Sequence, residues 1–190
     1  MRHALLLGLA LAAGCASTQR PTRPRGPATA ADFFPLRRGA AWSFDTDTHF
    51  GGDTTLSVLS VVEANPPEFS VRSGRRVERY ELRADGVVRE GEYLLHDPIR
   101  QGATWEGRQG SRYEVVSVNQ RRTVGEQSFD EVVEVRKSTP GTRIETTTWY
   151  ARGVGPIEIV ASTTSSIGGA INVRSTLRGY SLGDEAPRSE

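Results

Sequence analysis

Between Asp32 and Leu182 the apolar residues recur at alternate positions. In WSFDTDTHF, Trp42, Phe44 and Phe50 fall on one side; Ser43, Asp45, Asp47 and His49 fall on the other. In AINVRSTLRGY, Ile171, Val173 and Leu177 oppose Asn172, Arg174, Thr176 and Arg178. Side chains alternate across a strand, so this period marks half-buried β-structure. Further strands are expected at Thr54–Glu63, Glu68–Arg72, Val77–Ala84, Val87–Tyr93, Tyr113–Arg121, Phe129–Ser138, Arg143–Tyr150 and Ile157–Thr163. The breaks between them, such as NPP, SGR, ADG and STPG, are short and suit tight antiparallel connections. No helical period competes. The pattern predicts an all-β domain over residues 32–182. It is an antiparallel meander of about ten strands, forming a curved sheet, a half-open barrel or a sandwich.

One phrase occurs twice. PLRRGAAW (Pro35–Trp42) returns as PIRQGATW (Pro98–Trp105). Proline cannot serve inside a ladder, glycine frees the backbone for a turn, and tryptophan supplies apolar area where the strand meets the core. A weaker echo joins YELRADGVV at Tyr80–Val88 to WYARGVGPI at Trp149–Ile157. Two homologous halves, about 33–97 and 98–182, are expected.

The start of the chain differs from the rest. Arg2 and His3 precede ALLLGLALAAG and then Cys15, the one cysteine. The apolar run is roughly half of what a bilayer-spanning helix needs. A basic start, short apolar core and small residues describe a secretory leader over residues 1–14. LAAGC also resembles a bacterial lipobox, with Ala12 where Leu is usual. That resemblance implies that Cys15 becomes the first mature residue and is acylated, and Ala16 after it implies the outer membrane. Residues 15–31, with ASTQRPTRPRGPATAA after the cysteine, hold three prolines and three arginines and read as a disordered tether. Residues 183–190 read as a disordered tail.

The domain itself resembles a group of bacterial extracytoplasmic β domains. Their pattern opens with an FPLxxGxxWxY-like phrase, repeats PLxxGxxW and closes with WYAxGVGxV. Here these are FFPLRRGAAWSF, DPIRQGATW and WYARGVGPIEIV, with VGEQSFDEVVEV between the last two. Phe44 stands where the group has Tyr, and Pro156 interrupts the last phrase. The resemblance implies fold and location and carries no active site.

Chemistry is sparse. Net charge is +1, which gives no warrant for nucleic-acid binding. Asp45, Asp47 and His49 would share one strand face. They are the weak candidates for a metal site, and with it a metal-dependent hydrolase, against a plain solvated face. His96 in LLHDP reads as a turn. No nucleophile motif or zinc motif is present, so neither an enzyme nor a cofactor is expected. Binding remains. Trp42, Trp105, Trp149, Phe33 and Phe34 are candidate liners of a concave face, or plain core. Two readings stay open: a carrier of lipid or hydrophobic ligands, or an assembly module that docks an envelope protein.

Overall fold

The computed structural model describes residues 27–48, 54–142, 144–165 and 169–183. The leader, Cys15, most of the tether, His49, Phe50 and residues 184–190 lie outside them. The described elements are a one-turn helix α1 (Ala30–Phe33) and the strands β1 (Ala40–Thr48), β2 (Thr54–Asn65), β3 (Glu68–Ser73), β4 (Arg76–Arg83), β5 (Gly86–Arg89), β6 (Glu92–His96), β7 (Thr104–Glu106), β8 (Arg112–Val124), β9 (Gln127–Ser138), β10 (Ile144–Ala151), β11 (Gly155–Ser165) and β12 (Gly169–Leu182). All pair antiparallel in one twelve-stranded sheet, ordered β6-β5-β4-β3-β2-β1-β12-β11-β10-β9-β8-β7. Two six-stranded meanders therefore meet at β1 and β12.

This order forces the sheet to curl. β6 and β7 lie at opposite edges, yet only residues 97–103 connect them. Such a link spans at most about 25 Å. The edges do meet: the Trp105 indole donates to the Tyr93 carbonyl at 3.0 Å. The result is a nearly closed barrel, sealed at this seam by side chains and not by a ladder.

The alternation places Trp42 and Phe44 inside, at 0% and 2% exposure. Phe33, Phe34 and Leu36 are also buried and plug one end. The Phe34 ring meets Trp42 edge-on at 5.2 Å and Tyr80 at 5.7 Å, with Tyr150 at 6.2 Å. Offset and edge-on rings are the favoured aromatic contacts. α1 begins inside the stretch that composition assigns to the tether: Ala30 is fully buried. Its amino end is held by two carboxylates, one within the helix and one outside it. The Asp32 carboxylate accepts from Thr29 N–H at 3.0 Å, and the Asp97 carboxylate accepts from Ala30 N–H at 2.9 Å. Small residues in a Pro-rich context carry no apolar period, so this first turn is invisible to patterning.

The strand count also changes. The run Val87–Tyr93, expected as one strand, is β5 and β6 folded on each other, with Val88 opposite Tyr93. The turn is Glu90-Gly91, with φ of 50° and 81°. A two-residue turn of this hand usually carries Asn or Asp first; Glu there conceals it. β7, three residues long, is too short to show a period.

The two repeated phrases make the same turn. Gly39 and Gly102 have φ of 76° and 79°. Ala40 N–H donates to Arg37 at 3.1 Å, and Ala103 N–H to Arg100 at 3.0 Å. Gly39 N–H reaches Val61 at 3.3 Å; Gly102 N–H reaches Val115 at 2.8 Å. Each tryptophan then donates to the other meander: Trp42 to the Val154 carbonyl at 2.6 Å, and Trp105 to Tyr93. Tyr80 and Trp149, the first residues of the two echo phrases, both sit in the fourth strand of their meanders. Beyond the turns the two copies diverge. β1 has nine residues and two neighbours; β7 has three residues and one. A Cβ at Gly102 meets nothing within 4 Å, and at Gly39 only Gly183 Cα at 3.8 Å. Gly39→Ala and Gly102→Ala should therefore cost similar amounts, about 1–2 kcal/mol each, from the left-handed backbone alone. Urea unfolding midpoints check this, and unequal costs would show that the two turns are not equivalent.

The β8–β9 hairpin is bent. Asn119 and Glu131 have positive φ, and the ladder shifts register three times. Its distal half reaches β10 and β11. Arg122 bonds Glu158 at 2.7 Å and lies 3.8 Å from the Trp149 ring centre. Adjacent Val132 and Val133 are both buried, so β9 is covered on both faces here.

Candidate functional site

The barrel encloses a cavity of about 340 Å³. Strand alternation builds its walls. β10 contributes every second residue: Ile144, Thr146, Thr148 and Tyr150. β9 adds Val135 and Lys137, with Thr139 just beyond it. Across the lumen stand Leu59 of β2, Tyr80 of β4, Arg89 of β5 and Leu94 of β6. Tyr113, Pro156 and Ile159 complete the wall, and Phe34 forms the floor. Ile144, half exposed beside the β9–β10 turn, marks the mouth. The volume lies in the range of small-ligand sites, and so does the chemistry: mostly apolar and aromatic, with few polar groups.

The charge in this wall is one-sided. Arg89 and Lys137 line it, and no carboxylate does among the described residues. Lys137 is neutralised: its ammonium bonds Glu92 at 2.8 Å. Glu92 is nearly buried and also accepts from Arg108 N–H at 3.1 Å and Ser111 Oγ at 3.2 Å. Burial works to raise its pKa, but Lys137 and these donors outweigh burial and hold the carboxyl below its ordinary value. Arg89 is hydrogen-bonded to the Tyr80 hydroxyl. Among the described residues it has no carboxylate in contact, and Glu78 acts on it only at longer range. Its neighbours are phenols. Burial raises Tyr80 and pushes Tyr150 up to about 12. Burial, and then the charge of Glu92, raises Tyr113 as well. At neutral pH these hydroxyls are uncharged and cannot offset a guanidinium. The lumen thus holds one half-buried cation with no carboxylate in contact among the described residues, above an aromatic floor.

Of the five aromatics expected to line a binding face, only Phe34 reaches the cavity. Trp42 and Phe33 are core, at 0% and 2% exposure. Trp105 closes the seam, stacked on Tyr113 at 5.2 Å with a 6° interplanar angle. Trp149 alternates with the lumen residues of β10 and sits under Arg122. Of the metal candidates, Asp45 and Asp47 share one face of β1. Asp45 faces Arg178 at 3.5 Å, and Asp47 is exposed opposite Arg174. His49 lies outside the described residues. His96 stands 3.8 Å from Asp85 and packs on Tyr93 and Trp105. Among the described residues no three His, Cys, Asp or Glu side chains form a metal cluster.

Sequence reasoning missed Arg89, Tyr80, Tyr150 and the threonines. One signal was available. In IETTTWY both faces of the strand are largely polar, which suits neither a core strand nor a one-sided sheet. A strand with lumen on one side and solvent on the other reads this way.

No protein-family model matches the chain, and no curated protein matches it. Two solved structures are similar. One is a Bacteroides fragilis protein assigned as exported, with a YmcC-like fold: 12% identity, TM-score 0.44. The other is a Parabacteroides distasonis protein assigned as a lipoprotein: 11% identity, TM-score 0.42. Each likeness covers 78% of this chain and 98% of the other.

Proposed function

We propose that this chain is an envelope lipoprotein, anchored to the outer membrane through Cys15, whose barrel binds a small amphipathic molecule without transforming it. The observation that carries the reading is the lumen: a cavity of about 340 Å³ with apolar and aromatic walls and one guanidinium that no carboxylate contacts among the described residues. The rest of the apolar side chains already make a core, so the lumen is surplus to folding. Native mass spectrometry of the lipidated protein, extracted from membranes, tests it. A small molecule released on unfolding supports the reading. A Thr148→Trp variant fills the lumen and should lose that molecule. Retention by that variant would place the molecule elsewhere and sink the lumen reading.

The anchor has its own test. Cys15→Ser should abolish acylation and leave the precursor uncut by the lipoprotein peptidase. The uncut variant keeps its apolar leader in place of the two or more acyl chains that give stable attachment, so mass spectrometry of the amino end is the readout. An acyl-free mature N-terminus in the unaltered protein would overturn the anchoring.

A second reading, docking of an envelope protein by strand addition, has one observation behind it. Beyond Val115 the outer edge of β8 has no ladder partner among the described residues. The same stretch carries bulges, Arg121 and Arg122, which are the features that blunt an edge against pairing. The lumen therefore takes precedence.

A further inference from the structure

We propose that the lumen selects a single-chain amphiphile with an anionic head, and that Arg89 is the residue that binds the head. This rests on the reading of the barrel as a ligand binder and names what that ligand must be. Three observations lead to it.

The first is sign. The two ionisable groups of fixed charge in the wall are both cations, and among the described residues only Lys137 has a carboxylate in contact; Arg89 has the Tyr80 hydroxyl. An arginine held half-buried without a carboxylate is costly unless something else supplies the negative charge. A guanidinium offers paired N–H donors in a plane, which match the two oxygens of a carboxylate or a phosphate. The second is position. Arg89 stands opposite Tyr80 across the β4–β5 ladder, beside the aromatic floor. A head bound there is deep in the barrel and can also accept from the neutral Tyr80 hydroxyl. The third is the path outward. Ile159 pairs with Thr148 halfway along β10, and Ile144 stands at the mouth. An alkyl chain rising from Arg89 meets these apolar side chains and can leave past Ile144. Taking a methylene as close to a water's share of about 30 Å³, the cavity holds a chain of about eight to ten carbons.

The probes are sodium decanoate, decyl phosphate and decanol. Each is equilibrated in dialysis with the mature lipidated protein in lipid nanodiscs, with empty nanodiscs as the reference for partition into lipid. Decanoate, decyl phosphate or both should bind at least about ten-fold more tightly than decanol. Whichever of the two binds more tightly identifies a carboxylate or a phosphate head. Arg89→Gln should erase the preference and leave decanol binding unchanged, which shows that the lumen is intact. Arg89→Lys should restore part of it. If decanol binds the unaltered protein as tightly as both anions, the role of Arg89 is wrong and the lumen reading survives. If none of the three binds above the empty nanodiscs, the lumen reading falls with it.

Discussion

Trp42→Ala should lower the thermal midpoint by roughly 10–15 °C, the largest effect expected from any single truncation in this barrel. Three losses combine. The indole is fully buried, so its transfer energy is lost. The space it leaves is framed by Phe34 at 5.2 Å and by Gly155, whose φ of 113° presses the backbone onto the ring. A Cβ at Gly155 would stand 2.7 Å from the indole nitrogen. That wall is backbone and cannot collapse to fill the gap. The Val154 carbonyl also loses its donor. Tryptophan-to-alanine changes in cores cost about 3–5 kcal/mol, and a domain of this size loses about 2–4 °C per kcal/mol. Trp42→Phe separates the terms. It keeps most of the apolar area and orphans Val154, so it should cost about 1–3 kcal/mol. Calorimetry of the three proteins decides. A loss below about 1 kcal/mol for Trp42→Ala, far under the usual core cost, would mean that the two meanders do not depend on this contact.

Glu92→Gln should destabilise the protein by about 2 kcal/mol at pH 7 and by nothing at strongly acidic pH. Glu92 receives Lys137, Arg108 N–H and Ser111 Oγ at the seam where the sheet edges meet. Glutamine keeps the shape and removes the charge. The Lys137 ammonium is partly exposed and can recover some hydration, which keeps the cost below that of a fully buried pair. The direction of the shift sets the pH dependence. The folded carboxyl has a pKa below its unfolded value of about 4.3. Its contribution is complete above the unfolded value and is lost as pH falls through the folded one. The stability difference between the two proteins should therefore be flat from pH 7 to about 5, then close. A difference that stays constant into acid would assign the effect to packing and not to charge.

Alternation served the sequence reading well where a strand has one dry face. Trp42 and Phe44 point inward, and the two glycine turns bend as the repeated phrase implied. It failed where burial depends on something distant. Trp149 looks like core from its size, but its cover is Arg122, brought over by the bend at Asn119 and Glu131. The β5–β6 turn was hidden because glutamate took a left-handed conformation. The lumen was the least legible part. Lys137 and Thr148 belong to the neighbouring strands β9 and β10, Arg89 to β5 more than half the sheet away, and only closure sets Arg89 across one space from the other two. No local pattern encodes that closure; the strand order and the short link from β6 to β7 do.

The pairing of β1 with β12 has a consequence for biogenesis. Ser43 and Gly179 bond across a sequence separation of 136. A chain threaded through a membrane from its amino end delivers β1 first and its second neighbour last. Until then β1 and β2 form a ribbon whose outer backbone is bare, and β11 has the same defect. Contacts this distant in sequence form slowly and leave such intermediates open to aggregation. Under the proposed export, the outer edge of β1 would stay bare until β12 arrives, and that of β11 only briefly before it. Whatever the finished barrel goes on to hold, its two meanders can close on each other only when the last strand arrives.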